Sequence, residues 1–230
     1  MTELPKIVTT ADGSKTLLDA ATGEHYHSLF GATTESQHIF ISGGLKPLMS
    51  MHNQINILEI GFGTGLNALL SFHSCDGPIS LYYEAVDCCP LDPELVMELN
   101  YARFLGIAGA ELTFKKIQVA PWGEIVAISE CFTLFKRMAL IEDFIPEPDY
   151  YHLIYFDAFS PAVQPNLWSV EVFNRMYASM KHFGVLVTYS SRGVVKQALR
   201  QAGFVVERLT GPPGKRHMLR ATKLSNLNNA

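Results

Sequence analysis

The sequence predicts an α/β fold: a mostly parallel sheet with helices on both faces and a C-terminal antiparallel hairpin, preceded by a small N-terminal extension. Three observations carry this. The apolar run 57–60 is broken by Gly61, Gly63 and Gly65 and resumes as Leu66, Leu69 and Leu70 at helical spacing, which reads strand, tight loop, helix. The run 153–156 is a buried-type strand that delivers Asp157 into an apolar loop braked by Pro161. The turn Gly211-Pro212-Pro213-Gly214 joins two β-prone runs closely, so the two should lie antiparallel.

Taken in order, residues 7–18 read as a hairpin about Asp12-Gly13, and a helix follows, capped by Thr33 or Thr34 and ended by Gly43-Gly44. Glu35 reads as a solvated first-turn acid favoured by the helix dipole. This extension, 1–50, precedes a main domain of 51–230. There the strand–loop–helix unit leads to a strand over 78–86 ending at Asp87, a helix from Asp92 or Pro93 through Leu105, a helix over 110–119 and a strand over 131–138. After the 153–156 strand, Asn166 is placed to cap a helix running to Met180 with Val172, Phe173, Met176 and Met180 on its apolar face. Strand 184–190, helix 194–202 and strands 204–209 and 217–221 complete the chain.

A length of 230 residues with 48% hydrophobic composition suits one domain with a sizeable core and argues against disorder. No stretch reaches the run of about 18 apolar residues that a membrane span needs, and Met1 to Pro5 carries no basic flank or apolar run. A cytoplasmic protein with no membrane partner is expected. Cys75, Cys88, Cys89 and Cys131 lack metal-ligand spacing and suit reduced thiols; His25 and His27 lack a third ligand, so no metal is expected. Charge is uneven: residues 1–180 hold 9 Lys+Arg against 21 Asp+Glu, a net −12, whereas 181–230 hold 9 against 1, a net +8. The basic segment is either a docking surface for an anionic partner or a solvated face.

The glycine loop is a ligand-binding turn, since its backbone can adopt positive φ while the following helix N-terminus directs N–H groups at negative charge. A dinucleotide fingerprint would need a third glycine where Leu66 stands. The pattern Glu59-x-Gly61-x-Gly63-x-Gly65 instead resembles motif I of class I S-adenosylmethionine-dependent methyltransferases, which have a Rossmann-like fold. Asp87, at the end of the next strand, is where a carboxylate would hold a ribose diol; Glu84, inside the strand, is the second choice. Asp157 should sit over the same crevice, because ligands of open α/β sheets bind beyond the carboxyl ends of strands; a plain turn cap is its alternative.

Over nearly the whole chain the sequence is similar to the methyltransferase domain of the MnmC family of tRNA 5-methylaminomethyl-2-thiouridine biosynthesis proteins. The likeness rests on Gly31-Ala32, Glu35-Ser36, Ile39-Phe40-Ile41, the 59–67 loop, Asp157-Ala158-Phe159-Ser160-Pro161, Asn166, Trp168, Ala202-Gly203-Phe204 and Gly214-Lys215-Arg216. The resemblance implies N-methylation, with S-adenosylmethionine as cofactor, of a 5-aminomethyl(-2-thio)uridine at the tRNA wobble position. It places Glu59, Gly61, Phe62, Gly63, Gly65, Asn67 and Asp87 at the cofactor and Asp157 at the reacting amine. Phe159 and Pro161 would wall the substrate, and Lys215 and Arg216 would meet tRNA phosphates. The usual place of an acid for the adenine amino group reads Met138-Ala139-Leu140, with Glu142 nearby. No oxidase half follows, so a separate partner enzyme would supply the aminomethyl substrate. A small-molecule N-methyltransferase, or a binding module without turnover, is the alternative.

Overall fold

The computed structural model describes residues 4–75 and 78–224, so the reading of Met1, Thr2 and Glu3 lies outside the described residues. Lys6–Thr9 (β1) and Lys15–Leu18 (β2) form the expected antiparallel hairpin. Its turn does more than reverse the chain. Asp12 Oδ2 accepts from the Thr34 N–H (3.1 Å) and the Thr34 hydroxyl (2.7 Å), and Ser14 Oγ accepts from the Ala32 N–H at 3.1 Å. The following helix, expected to be capped by Thr33 or Thr34 themselves, therefore starts from Gly31 and takes its cap from the hairpin.

That helix does not stop at Gly43-Gly44. Ala32–Ser36 (α1) passes into a π-helical stretch, Gln37–Leu45, and then Lys46–Met49 (α2). A Cβ on Gly44 would lie 3.0 Å from Val187 and 3.2 Å from Leu153, and one on Gly43 would lie 2.7 Å from Met218. The glycines are where the helix backbone lies directly on the sheet, not where it ends. Ile39, Phe40, Ile41, Leu45 and Leu48 are buried in the core beneath it. The helical half of the N-terminal extension is thus packed against the main domain.

The main sheet has eight strands, in the order Ile125–Ser129 (β5), Phe132–Met138 (β6), Ser80–Asp87 (β4), Gln54–Ile60 (β3), Tyr151–Phe156 (β7), Met180–Thr188 (β8), His217–Thr222 (β10) and Val205–Thr210 (β9). β6, β4, β3, β7 and β8 are parallel, and β10 runs antiparallel between β8 and β9. The mostly parallel sheet and its C-terminal hairpin are as the sequence predicts. β5, antiparallel to β6, is a strand that the sequence reading passed over. β3 is buried on both faces from Ile55 to Ile60, as its near-continuous apolar run requires. Two cores result: Ile55 and Ile57 face one, with the N-terminal helix, Leu66–Ser74 (α3) and Ala110–Val119 (α6), while Leu58 and Ile60 face the other, with Val170–Ser179 (α7) and Gly193–Gln201 (α8).

Three local expectations change. The single helix expected to Leu105 is two, Pro93–Met97 (α4) and Tyr101–Leu105 (α5), because Asn100 takes a left-handed conformation (φ 55°) between them. Asn166 lies in a 3₁₀ turn, Pro165–Trp168, and Ser169 caps α7 instead, its hydroxyl accepting from the Val172 N–H at 3.3 Å. β8 starts at Met180, four residues before the glycine expected to open it.

Asp12 carries the fold's first prediction. Burial alone would raise its pKa, but hydrogen bonds from Ser14, Thr10 and Thr34 outweigh this and hold it at about 2, below the ordinary 3.8. A lowered carboxylate stabilises the fold above its unfolded pKa and loses that contribution as pH falls through its folded value. Asp12→Ala should lower the urea-unfolding free energy by about 1–2 kcal/mol at pH 7. The deficit should shrink between pH 4 and pH 2; one that persists unchanged at pH 2 would show that the cap is not the cause.

Candidate active site

The register of the three central strands builds the site. Ile60 of β3 pairs with Val86 of β4 and with Phe156 of β7, so Gly61, Asp87 and Asp157 leave the sheet at one level. The Gly61 N–H donates to the Val86 carbonyl and the Asp157 N–H to the Ile60 carbonyl, both at 2.9 Å, carrying the ladder one step past the strands. Gly61 is held to glycine by this proximity: at φ +88°, an added Cβ would sit 2.8 Å from the Asp157 carbonyl oxygen. Beyond these ends lies a cavity of about 500 Å³, within the range of small-molecule sites, walled by Gly61, Gly63, Asp87, Asp157, Phe159 and Tyr189 among others.

Asp87 ties the glycine loop to β4. Its Oδ2 accepts from the Gly63 N–H and its Oδ1 from the Cys89 N–H, each at 2.9 Å, and each oxygen keeps acceptor capacity for a ligand hydroxyl. Glu84, the competing acid, is buried and occupied by the Tyr82 and Tyr151 hydroxyls and by Arg137. Of the two carboxylates, Asp87 is the one on the cavity wall.

Asn67, in the first turn of α3, links two acids. Its Nδ2 donates to Glu59 Oε1 and to Asp157 Oδ2, both at 2.9 Å. Glu59 is fully buried, off the cavity wall, and reaches the site through this amide. Burial pushes the Glu59 carboxyl well above its usual range, with Asp157 adding and Asn67 opposing. Burial likewise pushes Asp157 well up; Glu35 adds to the rise, and Asn67 and Lys215 oppose it. Glu59 Oε2 and Asn67 Oδ1 have no protein partner although buried, polar capacity left beside the cavity.

The remaining expected residues divide by position. Phe159 walls the cavity, edge-on to Tyr26 at 5.1 Å. Pro161 lies outside the lining. Phe62 points away, packing edge-on against Trp122 at 5.8 Å, with the Lys136 ammonium 5.3 Å from its ring. A Cβ on Gly65 would meet Gln118 and Phe62, so Phe62 and Gly65 set loop packing. Glu142 and Leu140, after β6, are on the wall near the place expected for the adenine. Arg216 is exposed, whereas Lys215 turns inward to the cavity, paired with Glu35 and 4.2 Å from the centre of the Tyr189 ring. Glu35 is buried, not the solvated acid expected. Glu24, Tyr26 and Tyr189 were not singled out in the sequence; Glu24 accepts from the Ser160 N–H at 3.0 Å, and no periodicity marks that loop. Among the described residues no cluster of three metal-ligating side chains occurs and no helix is long and apolar enough to cross a membrane.

Residues 133–224 match a family described as S-adenosyl-L-methionine-dependent methyltransferase. The chain is 31% identical over 221 residues to the "tRNA 5-methylaminomethyl-2-thiouridine biosynthesis bifunctional protein MnmC" of Burkholderia multivorans, covering 89% of this chain and 33% of that protein. The same protein of Azoarcus is 34% identical over 215 residues, with the same coverage of 89% and 33%. The chain therefore spans about a third of the length of these relatives. The crystal structure of MNMC2 from Aquifex aeolicus superposes with a TM-score of 0.76 at 25% identity, covering 97% of this chain and 71% of that one. Spermidine synthase of Thermotoga maritima shares the fold, with a TM-score of 0.55 at 14% identity over 97% and 71% of the two chains.

The site fits that cofactor: Gly63 leaves the wall open, and Asp87, on the wall, keeps acceptor capacity for the ribose hydroxyls on both oxygens. Gly63→Val, at φ +51° and with Tyr26 3.2 Å from the new Cβ, should abolish S-adenosylmethionine binding measured by calorimetry. Asp87→Ala should weaken it by about 1.5–3 kcal/mol, roughly 10- to 150-fold. Parental affinity in both variants would remove the loop from cofactor binding. The level strand ends, the glycine cradle between them and the match over residues 133–224 mark a class I S-adenosyl-L-methionine-dependent methyltransferase, similar along most of its length to a third of the MnmC proteins.

Proposed function

We propose that the chain methylates the primary amine of a 5-aminomethyl(-2-thio)uridine at the wobble position of tRNA. The observation that carries this is Asp157, a carboxylate with a raised pKa, held at the level of the glycine loop in a cavity with aromatic walls. The relatives are named for biosynthesis of 5-methylaminomethyl-2-thiouridine in tRNA, which is the product of such a step.

S-adenosylmethionine would supply a methyl group on a sulfonium, its S–C bond breaking as the C–N bond forms and leaving the thioether S-adenosylhomocysteine. An alkylamine, near ~10.4 in water, is protonated at pH 7, and freeing its lone pair costs about 4–5 kcal/mol at roughly 1.36 kcal/mol per pH unit. Asp157 accepts an N–H hydrogen bond and so aims the lone pair; once the new C–N bond forms, the same carboxylate takes the proton that the nitrogen releases. A carboxylate of raised pKa suits this task, since it binds that proton more readily than an ordinary aspartate. Asn67 fixes its orientation from α3. Phe159 and Tyr26 form the aromatic wall, against which a splayed-out uracil stacks.

Docking belongs to the exposed cations of the basic segment. Lys215 is paired inside the cavity, Arg220 lies 3.6 Å from Glu207, and Lys223 lies 2.8 Å from Asp149. Arg192, Arg200, Arg208 and Arg216 are exposed and have no carboxylate partner among the described residues.

Two measurements test this reading. Asp157→Ala should cut single-turnover methyl transfer to tRNA carrying the aminomethyl group by at least about 100-fold, the lower end of general-base effects. Its cofactor affinity should stay near parental, and normal turnover would take Asp157 out of the mechanism. The Arg192→Ala/Arg216→Ala double variant should bind tRNA more weakly and flatten the salt slope by about 0.7–0.9 log units for each phosphate that the variant no longer neutralises. A parental slope would move the docking surface elsewhere.

A further inference from the structure

The function proposed above meets a difficulty. A pocket that offers an amine only carboxylates would hold it as an ammonium, which cannot attack a methyl group. Asp157 and the buried Glu35 share the cavity wall with Glu24, Asp87 and Glu142. Among the described residues the wall's one lysine or arginine is Lys215, brought in from the β9–β10 turn. It is held on two sides, by the Glu35 carboxylate and by the face of Tyr189 at 4.2 Å, and Tyr189 is itself fixed by donating its hydroxyl to the Ala158 carbonyl at 2.9 Å. Glu35 is anchored in turn, its Oε2 accepting from the Ser28 N–H at 2.7 Å. A charge restrained this way costs little reorganisation when substrate arrives.

We propose that Lys215 is a positioning residue that keeps the acceptor amine neutral: its ammonium, fixed beside Asp157 by Glu35 and Tyr189, disfavours a second positive charge in the pocket. This rests on the function proposed above and deepens it. Neighbouring cations lower the pKa of an amine, because like charges at short range in a poorly solvated site repel strongly. Besides Asp87 and Glu142, and His25, Tyr26, Cys88 and Cys89 elsewhere on the wall, the following charged or titratable groups line the cavity with Lys215. From the N-terminal helix comes Glu35, from the loop after β7 Asp157, from the end of β8 Tyr189, and from the loop after β2 Glu24 and His27. His27 is uncharged at neutral pH, since burial pushes it down to about 4, with Glu35 opposing and Lys215 adding. Arg192, ahead of α8, acts on Tyr189 and adds positive field; Arg216, the turn's other cation, is exposed. Lys215 also acts on Asp157 directly, against the rise caused by burial and by Glu35. Amine and carboxylate therefore titrate as a coupled pair, and removing Lys215 moves both in the same direction.

The test is the pH dependence of single-turnover methyl transfer at saturating cofactor and saturating tRNA bearing the aminomethyl group, which reports protonation in the complex. Lys215→Met should move the midpoint of the rising limb up by about one pH unit, a roughly tenfold loss of rate at pH 7, with rates converging on parental by about pH 9.5. Lys215→Arg should keep the parental midpoint. A binding readout accompanies it. With S-adenosylhomocysteine present, Lys215→Met should favour an aminomethyluridine anticodon stem-loop over the uridine stem-loop more at pH 6 than parental protein does. If Lys215→Met does not fold, Glu35→Gln tests the same field from the other side and should lower the midpoint. A parental midpoint in Lys215→Met, or an equal loss at every pH, overturns the proposal. A parental protein that methylates no aminomethyluridine at any pH removes the proposed function first, and this inference with it.

Discussion

Everything at the site depends on one register. Because Ile60 pairs with both Val86 and Phe156, the three parallel strands run in step, and the residue after each of these three, Gly61, Asp87 and Asp157, falls on a common edge. The parallel ladder supplies evenly spaced hydrogen bonds, and two of them extend past the strands to lock Gly61 and Asp157 to their neighbours. A slip of one residue in any of these strands would invert its buried faces, so the packing of the two cores and the placement of the chemistry are fixed together.

On that edge the protein collects acids, Glu59 fully buried and Asp157 half-buried on the cavity wall. Glu59 and Asp157 share one amide of Asn67, and both are pushed above the ordinary carboxylate range, burial being the first cause. Such a cluster is expensive unless something offsets it, and the offset is specific: the amide N–H bonds, and the Lys215 ammonium brought in opposite Glu35. The same groups that make the cluster tolerable set its proton affinity. Stability and chemistry are therefore tuned by the same few side chains here, as expected of functional sites with shifted pKa values.

The N-terminal segment is bound into this arrangement at several points. Asp12 caps the helix that carries Glu35, Gly44 lets that helix lie on Val187 and Leu153, Glu24 holds Ser160, and Tyr26 stands over Gly63 and against Phe159. The loop 23–28 that follows the hairpin, with Glu35 of the helix, thus supplies much of the wall opposite the strand ends. Loop residues placed by a rigid scaffold commonly carry function in this way.

The sequence by itself determined the sheet class, the strand–loop–helix unit, the antiparallel C-terminal hairpin and the two acids that face the cavity at strand ends. Each is local: alternate glycines after an apolar run, an Asp after a buried strand, and a Gly-Pro-Pro-Gly turn act through backbone geometry within a few residues. Tertiary structure decided what depended on neighbours distant in the chain. Gly43-Gly44 read as a stop because glycine weakens a helix, yet here it lets the helix approach Val187 and Met218. Asn100 split a helix and Ser169 displaced Asn166 as a cap, choices that packing made between residues of similar local preference. Phe62 and Gly65 belong to the glycine motif but serve its packing against Trp122 and Gln118. Lys215 and Arg216 look alike in the sequence, and only the fold turns one inward to a glutamate 180 residues earlier in the chain and leaves the other in solvent. No periodicity could reveal that pairing, because a charge's partner is set by where the strands and helices finally lie.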